Sequence, residues 1–488
     1  MKSFISPAQL KSSLDAHSII GLCAGGLMYL ICLSGTLAVF ADYFERWEQP
    51  LVAEFSHYDG QTITTAIEGY RQRTGQFADS LYVVLPSDSQ PRMHVSGNQK
   101  EWYLQADGSL GEPVVEGWTH MLRKLHYYLH LPHTFGLLIT GILGALLLAL
   151  IISGIVAHPR IFKDAFSLRL GGTRRLEQAD IHNRLSVWGL PFHLMIGITG
   201  AFFGLLGPLL FVSAAVFYEG DRQALIEDIY GADPVLDAPV VALDIARILD
   251  TQQQRFPQAK PIFIVAQKLG TAQQFVEIAA TLPGRLIYAE MYRYTVDGQY
   301  LDTQGLADGP LGRQAVYSVY RLHFGHFGSL WVPVVYGLLG LALTVIAASG
   351  INIWLARRGG RNWINDVWAA TVWGLPLALS LSAFASVMLG LSALFSFIAT
   401  SLLALVFCLQ RGDEQRSARH LKAALALSLL ILSAGFFLHF PEPVARQLGT
   451  AMALILTGLA SGILLLIKTG RPLRPLPNAE KSPEKSRS

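Results

Sequence analysis

The sequence predicts a mainly α-helical, polytopic membrane protein, and three observations support this prediction. Of the 488 residues, 51% are hydrophobic and only 15% are charged, a composition typical of membrane proteins rather than of soluble domains. Eight apolar runs are each long enough to cross a bilayer, which takes about 20 residues. Two of these runs follow similar histidine-rich stretches, RKLHYYLHLPHTFG and YRLHFGHFGSLW, and this similarity indicates an internal repeat.

The eight apolar runs define about eight transmembrane helices. The first run is not expected to be a cleaved signal peptide, because it is long, a charged cluster follows it, and it lacks a cleavage site of small residues. The predicted spans are residues 19–40, 135–157, 187–211, 332–355, 367–388, 391–409, 421–438 and 449–467.

Basic residues are concentrated in alternate loops between these runs, and this sets the predicted orientation. The loop after the second run holds five Lys or Arg between residues 160 and 175, and the later loops and the C-terminal tail are also basic. Under the positive-inside rule, these loops and both termini are cytoplasmic. The long segments 41–125 and 218–322 are then extracytoplasmic. The tail at 471–488, rich in Pro, Lys, Glu and Ser, is predicted to be disordered.

A unit of span, extracytoplasmic segment and span occurs twice in the first 360 residues. An offset of 165 residues aligns His17 with His182, and an offset of 196 residues aligns His130 with His326. Small residues of the spans, including a Ser-Gly pair near the end of spans two and four, align at the same offsets. Because the paired spans run in the same direction, the repeat is parallel, with an expected pseudo-twofold axis along the membrane normal.

Each extracytoplasmic segment predicts a small α+β module. A helical pattern is followed by short strands, and Asp107-Gly108 and Asp297-Gly298 are hairpin turn signals between aromatic-rich strands. The last four spans lack this pattern and form an appended bundle. The predicted divisions are a first transmembrane helix at 1–40, a first module at 41–125, transmembrane helices two and three at 126–217, a second module at 218–322, a fourth transmembrane helix at 323–358, the appended four-helix bundle at 359–470 and the tail at 471–488.

Histidines mark the first four spans, where an ionisable side chain is costly and therefore indicates function. His17 and His182 begin helices that run outward, so they are expected at the cytoplasmic face. A second set is expected at the outer face, where spans two and four begin: His126, His130, His323 and His326. Twofold symmetry then gives two layers, each with a matched pair of histidines that face a common axis.

Two neutral imidazoles on opposite helices are the arrangement that ligates a haem iron axially. Because both axial positions are then filled, such a haem carries electrons rather than binding O₂. We therefore expect two haem groups that form an electron path across the membrane, with His17 and His182 as ligands of the cytoplasmic one. His193 shares a face with His182 about 16 Å further along the helix, and is an alternative ligand. The outer ligands come from one histidine of each histidine-rich stretch.

Three arginines flank these histidines, namely Arg123, Arg184 and Arg321. Haem propionates need cationic partners at the interface, so we expect these arginines to help bind the cofactor. Alternatives remain open, because interfacial histidines also occur as amphipathic anchors beside aromatic residues, and clustered histidines also bind zinc. Arginines are also plain topology signals, although Arg123 and Arg321 lie on the outer side, where that rule does not require them.

The order of these motifs resembles the PepSY-associated transmembrane helix family, whose members include iron-regulated inner-membrane ferric-siderophore reductases. The resemblance covers residues 10–360 and rests on LHYYLHLPHTFG…SGIVAHPR, HNRLSVWGLPFHLMIGITG and LHFGHFGSLW…SGINIWLARR, each bordering a module with a DG turn. It implies two b-type haems in a four-helix core, PepSY modules outside a bacterial inner membrane, and recurring histidines at the positions of His17, His126, His182 and His323. On this ground we prefer His126 with His323 as the outer ligands, and keep His130 with His326 as the alternative.

The resemblance implies an oxidoreductase that delivers one electron to a ferric siderophore or another Fe(III) chelate outside the membrane. The electron donor is a quinol or a cytoplasmic reductase, because the sequence has no dinucleotide or flavin fingerprint of its own. No nucleic-acid partner is expected. Two non-enzymatic functions compete with this one. The chain is otherwise a transporter or permease for a siderophore or other small molecule, or an envelope regulator whose PepSY modules bind a protein partner.

Overall fold

The computed structural model of the protein describes residues 6–98, 100–158, 161–166, 174–328, 331–358 and 360–469. The tail predicted at 471–488 lies outside the described residues. The helices, in chain order, are α1 (Pro7–Ala38), α2 (Ala41–Glu48), α3 (Gly60–Thr74), α4 (Trp118–Tyr128), α5 (His133–Ala157), α6 (Ile161–Asp164), α7 (Arg174–Trp188), α8 (Leu190–Phe217), α9 (Arg222–Tyr230), α10 (Ile245–Arg255), α11 (Leu311–Phe324), α12 (Trp331–Arg357), α13 (Trp363–Ala369), α14 (Leu375–Leu389), α15 (Ala393–Arg411), α16 (Glu414–His439) and α17 (Pro443–Thr469).

Eight helical segments of the described chain are long and apolar enough to cross a membrane, which confirms the predicted polytopic fold. They are α1, α5, α8, α12, α13 with α14, α15, α16 and α17. The helix α1 begins 12 residues before the apolar run at residue 19, because Ser6 caps it in a capping box with Gln9 and Pro7 stands at its first position. Hydropathy alone misses such a polar first turn.

The histidine-rich stretches do not begin spans two and four, as the sequence had indicated. They end separate short helices, α4 and α11, which precede the spans α5 and α12. The helix α4 stops because Leu129 and His130 adopt left-handed backbone with φ of 57° and 54°, and α11 stops at Gly325 with φ of 69°. The predicted boundaries at 125/126 and 322/323 therefore fall inside α4 and α11. The sequence did not reveal the break between each short helix and its span, because apolar side chains continue on both sides of it.

The end of α4 lies alongside the first turns of α5. Thr140 Oγ1, two turns into α5, donates to the Tyr127 carbonyl at 2.9 Å. The second half of the molecule is built in the same way, since Tyr336 Oη of α12 donates to the Leu322 carbonyl of α11 at 2.6 Å. Each short helix therefore places its histidine beside the membrane-crossing helices.

The two long segments that follow spans one and three form one continuous antiparallel sheet of eight strands, in the order β4-β3-β2-β1-β5-β6-β7-β8. Each segment supplies a helix, α3 or α10, and four strands, as the two-module prediction requires. The modules join where β1 pairs with β5, with Leu81 opposite Ala266. The strands are β1 (Ser80–Val84), β2 (His94–Gly97), β3 (Lys100–Leu104), β4 (Leu110–Pro113), β5 (Lys260–Gln267), β6 (Phe275–Thr281), β7 (Glu290–Tyr294) and β8 (Tyr300–Thr303).

A single apolar core holds both helices against one face of this sheet. Ile63 and Ile67 of α3, Ile248 of α10 and Leu81 and Ile264 of the joined strands are all fully buried in it. Because β1 and β5 are each edge strands of their own half, pairing them removes two exposed edges and makes the core continuous. The two modules are therefore one structural unit.

Glycines allow the first four spans to pack closely, at positions related by the repeat. A Cβ added to Gly144 of α5 would lie 2.6 Å from the backbone nitrogen of Ala201 of α8, and one added to its counterpart Gly340 of α12 would lie 2.8 Å from Thr36 Oγ1 of α1. Small residues of this kind let helix backbones approach in a membrane. The α5–α8 and α1–α12 contacts thus build the four-helix core.

The appended bundle, α13–α17, packs against the first half of the repeat. Tyr29 Oη of α1 donates at 2.8 Å to the carbonyl of Val372, in a π-helical turn at Ala370–Gly374. Trp118 Nε1 of α4 lies 3.1 Å from both the Leu379 carbonyl and Ser382 Oγ of α14. The bundle thus braces both α1 and α4.

Candidate functional site

Two pairs of histidine rings face each other inside the four-helix core. His17 of α1 lies opposite His182 of α7, with ring centroids 6.2 Å apart and ring planes at 89°. His126 of α4 lies opposite His323 of α11, with centroids 6.3 Å apart and planes at 23°. We call His17 and His182 the far pair, and His126 and His323, which lie toward the sheet, the sheet-side pair. The structure therefore brings together the four histidines that the resemblance favoured.

The far pair is held by two matching sets of hydrogen bonds. His17 Nδ1 donates to the Leu150 carbonyl at 3.0 Å and lies 3.1 Å from Ser153 Oγ. His182 Nδ1 donates to the Ile346 carbonyl at 3.1 Å and lies 3.1 Å from Ser349 Oγ. The partner residues are related by the offset of 196, so the pseudo-twofold axis is preserved at the level of single hydrogen bonds.

The sheet-side pair is held by the same kind of partner on α1 and α8. His126 Nδ1 donates to the Ile31 carbonyl at 3.1 Å. His323 Nδ1 donates to Thr199 Oγ1 at 2.8 Å, and this hydroxyl in turn donates to the Met195 carbonyl at 2.7 Å. Carbonyl oxygens only accept, and the Thr199 proton is already used, so Nδ1 carries the ring proton in all four histidines. The Nε2 lone pair of each ring is then available to a metal.

A glycine lies against each of the four rings and leaves room for it. A Cβ on Gly35 would lie 2.5 Å from His126 Cε1, whereas one on Gly200 would lie 3.4 Å from His323 Cε1. In the far pair, a Cβ on Gly154 would lie 3.3 Å from His17 Cε1, and one on Gly350 would lie 3.4 Å from His182 Cε1. The aligned glycines of the repeat are thus the residues that face the imidazoles.

The ring spacing fits a metal ion between each pair. Two metal–imidazole bonds of about 2 Å each, with roughly 1 Å from each nitrogen to its ring centre, give about 6 Å between ring centres. No three His, Cys, Asp or Glu side chains come together at a metal-binding distance in the described part of the chain. A cofactor that supplies its own equatorial donors, such as a haem, therefore suits these pairs better than a bare ion does.

The alternative histidines lie outside both pairs. His130 Nε2 contacts the Met121 carbonyl at 2.8 Å, within its own helix connection, and the His326 ring packs on Tyr320 with centroids 5.7 Å apart. His193 is only 2% exposed and hydrogen-bonds the backbone of Leu339. Its Nε2 has no partner among the described residues. The structure thus pairs His182, rather than His193, with His17.

The three flanking arginines have protein partners. Arg123 forms ion pairs with Asp42 at 3.1 Å and with Glu45. Burial raises the pKa of the Glu45 carboxyl to about 7, although the Arg123 charge opposes this rise. The acidic pair on α2 had not been singled out in the sequence, and the amphipathic pattern of α2 after the first span was its only signal.

Arg184 and Arg321 differ in what surrounds them. Arg184 lies 3.7 Å from the Asp180 carboxylate. Arg321 donates to the carbonyls of His326 at 2.7 Å, Arg285 at 2.9 Å and Ile287 at 3.2 Å. Of the three arginines, Arg123 is therefore the least suited to a propionate, because two carboxylates already surround it.

Comparisons with known proteins agree with the extent of the repeat. The family described as PepSY-associated TM region matches residues 14–357. An uncharacterized protein of Pseudomonas aeruginosa is 32% identical to the chain over 242 residues, which are 46% of this chain and 60% of that protein. The matching region thus spans less than two thirds of that relative's length.

Proposed function

The chain belongs to the PepSY-associated TM region family, and from this premise we propose that it is a di-haem b electron-transfer protein that reduces Fe(III) chelates. The observation that carries the proposal is the pair of matched histidine layers, each with ring centres about 6 Å apart and with Nδ1 held by the protein. His17 and His182 would hold one haem, and His126 and His323 the other. A haem held by these residues would supply reversible one-electron transfer.

The direction of electron flow follows from the proposed topology. The protein lies in the bacterial inner membrane with both termini cytoplasmic, so the far pair faces the cytoplasm and the sheet-side pair faces the periplasm. A quinol or a cytoplasmic reductase supplies the electron at the far side. At the sheet side, one electron passes to a ferric siderophore or other chelate, and its Fe(III) becomes Fe(II). Hard oxygen donors bind Fe(II) far less well, so the reduction releases iron for uptake.

The experiment is to purify the full chain from a membrane that makes haem and to measure its haem content and spectrum. We expect two b-type haems per chain by pyridine haemochrome analysis, a low-spin Soret band that shifts on reduction, and reoxidation when a ferric chelate is added. A fully expressed, folded and colourless protein would contradict the proposal and favour the transporter or the regulator.

A further inference from the structure

A surface cavity of about 470 Å³ lies between the sheet and the connection from α11 to α12. The segment 281–286, which links β6 toward β7, forms one wall, and Phe327 and Gly328 form the other. Three cationic side chains line it, namely Lys260, Arg285 and Arg321. Cavities with a few convergent polar groups are typical sites for small-molecule ligands.

The arginine at the base of the cavity is held in place without being neutralised. Arg321 donates to carbonyls of both walls, those of Arg285, Ile287 and His326, and no carboxylate pairs with it among the described residues. Two acids pair with the other lining cations. Asp308 is 2.7 Å from Arg285 and its side chain is 81% exposed, while Asp88 is 4.0 Å from Lys260 and fully exposed. Ion pairs so exposed are weak, so the cavity keeps a net positive charge.

The cavity lies close to the sheet-side pair. Residues two apart on an α-helix point to opposite sides, so Arg321 and His323 project from opposite faces of α11. The distance between the cavity and the His323 ring is therefore about one helix diameter, roughly 10 Å. A series of aromatic rings leads toward His323, since Tyr320 of α11 packs on Tyr288 with ring centroids 4.5 Å apart, and the ring of Phe203 lies 6.5 Å from that of Tyr320 and 5.5 Å from that of His323. An electron acceptor in the cavity would be within short reach of the sheet-side haem.

We propose that this cavity binds the Fe(III) chelate, and that it selects chelates with a net negative charge and outward carboxylate or phenolate oxygens. Arginine and lysine donors recognise such oxygens. This inference rests on the proposed function, because it names the substrate class of the same electron-transfer site. The first half of the repeat offers no equivalent, since Lys124, which precedes His126 by two residues as Arg321 precedes His323, is paired with Glu116 at 3.1 Å.

The test uses the full-length protein and redox-inert gallium(III) complexes, so that binding is measured without electron transfer. Gallium(III) citrate is the anionic probe, and the gallium(III) complex of desferrioxamine B is the cationic one. We expect the double variant Lys260→Gln/Arg285→Gln to bind gallium(III) citrate about fivefold more weakly at low salt, with no change for the cationic probe. Lys100→Gln, an exposed cation on β3 of the other module, is the matched control and should leave both affinities unchanged.

The two ways of failing are distinguishable. Equal affinity of the double variant and the parent chain for gallium(III) citrate would overturn the cavity assignment, even if the parent chain reduces ferric chelates. An equal loss of binding in Lys100→Gln would also overturn it, because the effect would then be a general surface charge. A protein without haem would overturn the proposed function instead, and haem content is measured separately on the same preparation.

Discussion

Gly35 of α1 is the residue at which the sheet-side site is most sensitive to a single methyl group. An added Cβ there would lie 2.5 Å from Cε1 and 3.0 Å from Nδ1 of His126. Real Cβ atoms do not approach so closely, so the His126 ring would have to move away from the Ile31 carbonyl that orients it. Glycine is therefore needed at this position to leave room for the His126 ring, and not for the backbone conformation of α1.

We predict that Gly35→Ala removes or alters the sheet-side haem and leaves the far haem intact. Alanine favours a helix over glycine by about 0.5–1 kcal/mol, so α1 itself should not be weakened. Gly26→Ala, on the same helix and with nothing within 4 Å of the added Cβ, should keep both haems. Haem content and low-temperature spectra measure the result, and a normal Gly35→Ala spectrum would disprove the close packing.

The choice of ligands gives a second prediction at this scale. His126→Ala and His323→Ala should each convert the same haem from low to high spin, or lose it, because one axial bond is gone. His130→Ala and His326→Ala should leave both haems low-spin, since those rings contact a carbonyl or an aromatic neighbour and not each other. Electron paramagnetic resonance separates the two spin states. The opposite pattern would show that the ungapped repeat alignment is the better guide.

The sequence indicated the histidines but not what orients them. Ser153 and Ser349 were visible as an aligned Ser-Gly pair, and the structure shows that each lies against the Nδ1 of a far-pair histidine. Thr199, which accepts from His323, aligns at the offset of 165 with Ser34, whose hydroxyl lies 3.4 Å from His126 Nδ1; this pair was not noticed in the sequence because the two residues differ in type. Hydroxyl partners of this kind depend on which helices become neighbours, and one sequence does not give that directly.

At the scale of elements, α2 and α4 form a charged contact between the sheet and the spans. Arg123 of α4 is shared by two carboxylates of α2, Asp42 and Glu45, so one negative charge is in excess. Burial, and to a lesser extent the neighbouring Asp42 charge, explain why the pKa of Glu45 rises to about 7 from an ordinary value of 4.5. The folded protein thus binds this proton more tightly than the unfolded chain does.

We predict that the folded protein becomes less stable as the pH rises, because the Glu45 carboxyl must then be buried in its charged form. A raised folded pKa means that folding is penalised progressively between pH 4.5 and 7, and fully above pH 7, by at most about 3 kcal/mol. Glu45→Gln should therefore raise the unfolding temperature in detergent more at pH 8 than at pH 5. Glu68→Gln, in an exposed pair with Arg71, serves as the control. A larger gain for Glu45→Gln at pH 5 would contradict the assignment.

The elements themselves were predictable to different degrees. All eight spans follow from apolar runs of sufficient length, because a bilayer leaves few alternatives to a helix. The end of α4 was not predicted, since the left-handed residues Leu129 and His130 are not glycine and give no sequence signal; α11 ends at Gly325, a glycine signal that the sequence analysis did not use. The joining of β1 to β5 was also missed, because strand pairing between segments nearly 180 residues apart is a property of the assembled fold.

The whole molecule is a twofold-related pair of units with one unsymmetrical addition. The repeat places both histidine pairs on the axis, while α13–α17 contact both units unequally, through Tyr29 of α1 with Val372 and through Trp368, which donates to Asn352 of α12 at 2.9 Å. The far pair and the sheet-side pair use different helices: His17 and His182 belong to α1 and α7, whereas His126 and His323 belong to α4 and α11. One layer can therefore be removed without dismantling the other.

This separation gives a prediction about the direction of electron flow. His17→Ala should lose or alter the far haem only, because the nearest contacts of the His17 ring are Leu150, Ser153 and His182. In inverted membrane vesicles supplied with NADH, the sheet-side haem should then stay oxidised, since electrons entering from the cytoplasmic face have to pass the far layer. Dithionite, which reaches haems directly, should still reduce it.

His420→Ala, on an exposed part of α16, should behave as the parent chain does. If NADH still reduces the sheet-side haem of His17→Ala at the parent rate, electrons enter elsewhere, and the two layers do not act in series.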